Sequence, residues 1–171
     1  ADLEKIIDEL RSRAHGDRVR WVREENLHVT LHFIGNVSPD SVPGLLHAVS
    51  QELVRERPIA TQLTGLQLFP SEKRPRVIAM GLGNNEALKR LAEAVKRGVT
   101  VVGIPSDKRS FKAHLTLGRI RGKIFPSIND LLFEGKAKIK VSEILLYQSE
   151  LHPDGPLYSE IGRIKLGASE G

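Results

Sequence analysis

The 171-residue sequence contains no cysteine. Disulfides, cysteine nucleophiles and thiolate metal sites are therefore excluded. No apolar run approaches the ~18 residues that would span a bilayer as a helix. No signal peptide is visible, so a cytoplasmic protein is expected. Nor is there a dinucleotide fingerprint, because Gly81-Leu82-Gly83 lacks the rest of the pattern.

What is present describes a folded, mildly basic chain. Apolar residues make up 40% and charged residues 27%, a globular balance. The length allows a real core in a single domain, or in two small lobes fused together. Lys and Arg exceed Asp and Glu by 26 to 21. That excess suits an anionic partner, nucleic acid or a phosphate ester, and equally a solvated basic surface.

Periodicity orders the chain as follows. Positions 1–14 carry Leu3, Ile6, Ile7, Leu10 and Ala14 on one helical stripe, and His15-Gly16 stops it. The chain enters this helix at once and without Met, which leads us to expect an upstream segment. Arg18 to Arg23 reads as a strand, Glu24 to Asn26 as a turn, and Leu27 to Ile34 as a second strand. Ser38-Pro39 opens a helix with Leu45, Leu46, Val49 and Leu53 inward. Strands are expected over Ile59 to Phe69 and Val77 to Leu82, around a basic, Pro-bounded loop. A helix follows from Asn84 to Gly98, then a strand over Val99 to Val102. Gly103 to Lys112 is a polar loop with Lys108, Arg109 and Lys112. It leads into a strand over Ala113 to Ile120. A short helix over Ser127 to Phe133 and long strands over Lys136 to Glu150 and Leu157 to Leu166 complete the chain. The order is αββαββ twice, an internal duplication of an antiparallel α+β unit with helices on one face of each sheet.

One phrase occurs in both halves. His28-Val29-Thr30-Leu31 and His114-Leu115-Thr116-Leu117 both read His-apolar-Thr-apolar. On a strand, residues i and i+2 share a face. His28 and Thr30 then point one way and Val29 and Leu31 into a core, with His114 and Thr116 repeating the pattern. Two imidazoles suit general acid–base work, since an unperturbed pKa of about 6.5 makes both charge states accessible near neutrality. Each Thr hydroxyl can donate to a non-bridging phosphate oxygen, and Arg119 with the basic loop can neutralise the remaining charge. Together these parts suit phosphodiester cleavage without a metal. A zinc pair of His28 and His32 fits poorly, because four residues of strand separate the side chains by roughly 13 Å. No carboxylate or cysteine stands at ligand spacing beside either phrase. His32 shares the face of His28 and Thr30, where exposure is the simpler expectation; His15, His47 and His152 read as surface residues.

The paired phrases resemble the signature of the two-histidine (2H) phosphoesterases. Within them the chain is most similar to the bacterial and archaeal RNA 2′,3′-cyclic phosphodiesterases, historically called 2′-5′ RNA ligases. The likeness extends through Val19-Arg20-Trp21-Val22, Asn26-Leu27-His28, Phe33-Ile34-Gly35, Leu63-Thr64-Gly65-Leu66, Phe69-Pro70, Arg76-Val77-Ile78 and Gly155-Pro156 with Tyr158. The family often has Pro where Ala113 stands. It usually begins with a strand before the first helix, which this sequence lacks and which can carry an aromatic that stacks on the base. The resemblance implies an α+β fold of two pseudo-symmetric, interleaved lobes within one domain over residues 1–171. It places helices on the outer faces and a cleft between lobes that takes one His-Thr pair from each. It implies hydrolysis of a ribose 2′,3′-cyclic phosphate to a 2′-phosphate with no cofactor, His114 as base, His28 as acid, and Thr30, Thr116 and Arg119 on the substrate. RNA ligation would be the reverse reaction. RNA ends or cyclic nucleotides are the expected partners, no membrane is involved, and a monomer is the expected state. Two rivals remain at this point: a phosphodiesterase of small nucleotides such as ADP-ribose cyclic phosphate, and an RNA-binding module with an inert cleft.

Overall fold

The structure, a computed structural model, describes residues 2–13, 19–105, 110–121, 137–152 and 155–167. Helix α1 spans Asp2–Arg13 and buries Ile6, Ile7 and Leu10, the expected stripe. Strand β1 covers Val19–Trp21 and a 3₁₀ turn Glu24–Asn26. Helix α2, Val42–Leu53, follows a 3₁₀ turn over Pro39–Ser41 and buries Leu45, Val49 and Leu53. Strands β2, Ile59–Phe69, and β3, Val77–Leu82, lie where the alternation put them. Helix α3 runs over Asn85–Val101 and β4 over His114–Ile120. Strands β5, Lys138–Val141, β6, Glu143–His152, and β7, Gly155–Lys165, close the chain.

The fold is α+β with antiparallel ladders. One sheet has the order β1-β4-β3-β2-β5, and β6 pairs with β7 in a second sheet. Two compact units each draw on three stretches of chain. One comprises Ala1–Thr30, Thr61–Asn85 and Ala113–Ile139; the other comprises Leu31–Ala60, Glu86–Lys112 and Lys140–Gly171. In the first, Leu63, Ile78, Met80, Leu82, Leu115 and Leu117 form the buried centre of the sheet. In the second, α3 presents Leu88, Leu91, Val95 and Val99 at helical spacing, all buried.

Three expectations need correction. Leu27 to Ile34 is not a strand. The 3₁₀ turn Glu24–Asn26 takes the chain out of the β1–β4 ladder after the Val22 N–H to Leu117 carbonyl bond. His28, Val29, Thr30 and Leu31 are all half-buried, so the expected in–out alternation is absent. Val99 to Val102 is not a strand either, because α3 continues through Gly98 to Val101. Gly98 serves close packing rather than termination: a Cβ there would sit 2.6 Å from the Val49 Cα of α2. Finally, the long strand over Lys136 to Glu150 is divided at Ser142. β5 joins the larger sheet beside β2, where Leu63 N–H donates to the Ala137 carbonyl, and β6 turns to β7. Among the described residues, the αββαββ repeat thus lacks Leu27 to Ile34 in its first half and Val99 to Val102 in its second, where the division at Ser142 adds a strand. The helix expected over Ser127 to Phe133, Lys108, Arg109, His15 and the His152 side chain fall outside the described residues.

Candidate active site

Strand β4 builds one side of the site. Leu115 and Leu117 are buried, while His114 and Thr116 between them are half-open, as the two-residue period requires. Strict alternation would then put Arg119 on the buried face with Leu115 and Leu117. A β-bulge prevents this. In the β3–β4 ladder Ala79 faces Thr116 but Ile78 faces Gly118, so Leu117 is an extra residue. Leu117 and Gly118 are both buried and Arg119 is exposed. The bulge shifts the phase by one and returns Arg119 to the side of His114 and Thr116.

Neighbouring strands furnish the rest of this face. Gly81 of β3 stands opposite His114 in the register. A Cβ at Gly81 would lie 2.5 Å from Thr64 Oγ1 and 2.6 Å from Gln67 Nε2. The missing side chain thus leaves room for two polar groups of β2 beside the histidine strand. The Phe69 ring, at the end of β2, lies 5.1 Å from the His114 ring at an interplanar angle of 40°. That is a packing contact that limits rotation of the imidazole. On the other flank, Arg20 of β1 pairs in register with Arg119.

His28 is held differently. It follows the 3₁₀ turn, and its Nδ1 lies 2.8 Å from the Asn26 carbonyl oxygen. A carbonyl can only accept, so Nδ1–H is the donor, and in the neutral ring Nε2 carries the lone pair. Within the chain, His28, Thr30, His114, Thr116 and Arg119 all belong to the same compact unit. The first phrase follows on β1, which pairs with the strand that bears the second. His32 belongs to the other unit and is half-buried rather than exposed. His47 is exposed on α2, as expected. Among the described residues no three His, Asp or Glu side chains gather as a metal site.

Phe69, Gly81, Thr64, Gln67 and Arg20 were not singled out from the sequence as parts of a site. Their membership depends on strand register, for which the chain offers no local signal beyond Phe69 closing one strand and Gly81 lying inside another.

Comparison with known proteins gives a consistent result. The sequence model of the family described as LigT like Phosphoesterase matches residues 1–79 and 82–158. An RNA 2′,3′-cyclic phosphodiesterase of Aeropyrum pernix is 34% identical over 165 residues, covering 92% of this chain and 93% of that protein. One of Archaeoglobus fulgidus is 33% identical over 162 residues, covering 92% and 90%. A crystal structure from Thermus thermophilus superposes with a TM-score of 0.81 at 28% identity, covering 98% of this chain and 93% of that one. Escherichia coli LigT, solved with 3′-AMP, shares the fold with a TM-score of 0.74 at 24% identity, covering 96% and 91%.

Proposed function

We propose that this chain, which belongs to the LigT-like phosphoesterase family, hydrolyses ribose 2′,3′-cyclic phosphates at RNA ends to 2′-phosphomonoesters. The observation that carries the reading is the face of β4, where the bulge aligns His114, Thr116 and Arg119 as a base, a hydroxyl donor and a cation. A five-membered cyclic diester needs a water deprotonated on one side of phosphorus and the ribose 3′-oxygen protonated on the other. His114, oriented by Phe69, takes the water proton. His28 Nε2 gives a proton to the departing 3′-oxygen, with its ring fixed by the Asn26 carbonyl. Thr30 and Thr116 donate to the non-bridging oxygens, and Arg119 offsets their growing charge. The products are a 2′-phosphate and a 3′-hydroxyl. With a 5′-hydroxyl in place of water as the nucleophile, the same groups would join RNA ends through a 2′-5′ linkage, the 3′-oxygen leaving with a proton as in hydrolysis. No step calls for a cofactor.

Hydrolysis of a nucleoside 2′,3′-cyclic phosphate in excess chelator tests this. The rate is expected to survive chelation, and to fall at least ~10²-fold in His28→Ala and in His114→Ala, the lower end for loss of one general acid or base. Nucleotide binding without turnover in the wild type would instead support an inert binding module.

A further inference from the structure

We infer that Gln67, flanked by Thr64, forms the subsite for the attacking nucleophile and holds the water that His114 deprotonates. It rests on the function proposed above and supplies the residue that orients the second reactant.

Attack on phosphorus runs in line, so the nucleophile enters opposite the departing 3′-oxygen. The sheet order β1-β4-β3-β2 gives β4 two flanks. On one lies β1, which leads to the proton donor His28; on the other lie β3 and β2. Water therefore reaches His114 from the β3 side.

Strand register fills that side with side chains of β2. Gln67 pairs with Ala79, and Ala79 pairs with Thr116, so the three project to one face. Phe69, two residues on, crosses β3 and brings its ring centroid to 5.1 Å from that of His114. Between them β3 places only Ala79 and Gly81, too small to block the way. Gly81 opposes His114, and opposed Cβ positions stand about 4.5–5.5 Å apart. Gln67 Nε2 and Thr64 Oγ1 lie 2.6 and 2.5 Å from the Gly81 Cβ position. Both atoms are thus within about 8 Å of the His114 Cβ, a span that an imidazole and one water fill. Gln67 and Thr64 are exposed, so solvent reaches them.

Water and an alcohol differ in a way that Gln67 can read. Water has two hydrogens. One goes to His114 as the oxygen bonds to phosphorus, and the Gln67 amide carbonyl accepts the other. A glutamine amide is suited to orienting an attacking water in this way. Methanol has a single hydroxyl hydrogen, which His114 takes, and it leaves the Gln67 carbonyl nothing to accept.

The test is turnover of a nucleoside 2′,3′-cyclic phosphate in aqueous methanol by wild type, Gln67→Leu and Gln67→Glu. Attack by water yields the 2′-phosphate, and attack by methanol yields the 2′-(methyl phosphate) diester. In both the 3′-oxygen leaves with a proton from His28, and phosphorus NMR counts the two products. Gln67→Leu should lower kcat for hydrolysis about tenfold, the scale of one hydrogen bond, with KM unchanged and methanolysis altered less than about twofold. Its ratio of methanolysis to hydrolysis should therefore rise about tenfold. Gln67→Glu keeps an acceptor and should hold the wild-type ratio. An unchanged ratio in Gln67→Leu overturns the subsite, because a merely structural role would slow both nucleophiles alike. An equal rise in Gln67→Glu overturns it too. A wild type that forms neither product overturns the proposed function, and the subsite with it.

Discussion

Gly81 shows how a residue without chemistry shapes a site. Its missing Cβ leaves the space that Thr64 Oγ1 and Gln67 Nε2 occupy opposite His114. Gly81→Ala should therefore destabilise the protein by about 1–2 kcal/mol, the usual scale for overpacking. Thr64→Ala should recover part of that loss in the double variant. Urea unfolding of the four proteins measures the coupling, and strictly additive costs would mean that the two side chains do not compete. The two histidines can be separated by chemistry. A substrate with sulfur as the 3′ bridging atom leaves as a thiolate and needs no proton. His28→Ala should lose little activity on it, while His114→Ala should remain at least ~10²-fold impaired. The reverse pattern would exchange the acid and base roles. The histidines and threonines were legible because the phrase is repeated. Phe69 and Gly81 were not, because a contact across strands leaves no mark in either strand alone.

At the scale of elements, β4 and the segment around His28 diverge although their sequences match. In β4 the apolar residues have a sheet to fill, and Leu115 and Leu117 are 4% and 0% exposed. After the 3₁₀ turn no ladder among the described residues receives Val29 and Leu31, and both stay half-buried. The alternation was read as a strand over Leu27 to Ile34, and the structure has none there, because pairing decides whether a strand forms. Gly98 teaches the same lesson for helices. Read locally it was a stop signal; in the fold it lets α3 lie against the Val49 backbone of α2. Gly98→Leu should cost about 3 kcal/mol or more, because the obstructing atoms include backbone that cannot swing aside. The drop in the denaturation midpoint measures it, and an unchanged midpoint would mean that the helices are not this close.

For the whole molecule, the formal charge of +5 bears on substrate capture rather than on the fold. An RNA end approaches as a polyanion, so its KM should rise steeply between low and physiological salt, while kcat changes little. Steady-state rates over a salt series check this. A KM independent of salt would show that the basic surface takes no part. Among the described residues no helix is long and apolar enough to cross a membrane. Membership of the LigT-like phosphoesterase family extends over most of the chain, as the spread of resembling segments from Val19 to Tyr158 implied.

The sequence by itself determined α1, α2, β2, β3 and β4, because their apolar residues recur at a period that only one conformation can bury. It also determined the two His-Thr pairs, because a repeated phrase needs no structure to be noticed. The tertiary structure decided which phrase became a strand, where α3 ends, and how the last strands divide between sheets. It decided, too, that both phrases sit in one compact unit. These outcomes depend on hydrogen-bond partners and close contacts supplied by distant stretches of chain. The bulge at Leu117 is the clearest case. A shift of one residue, set by pairing with β3, moves Arg119 from the face of the core to the face of the histidine.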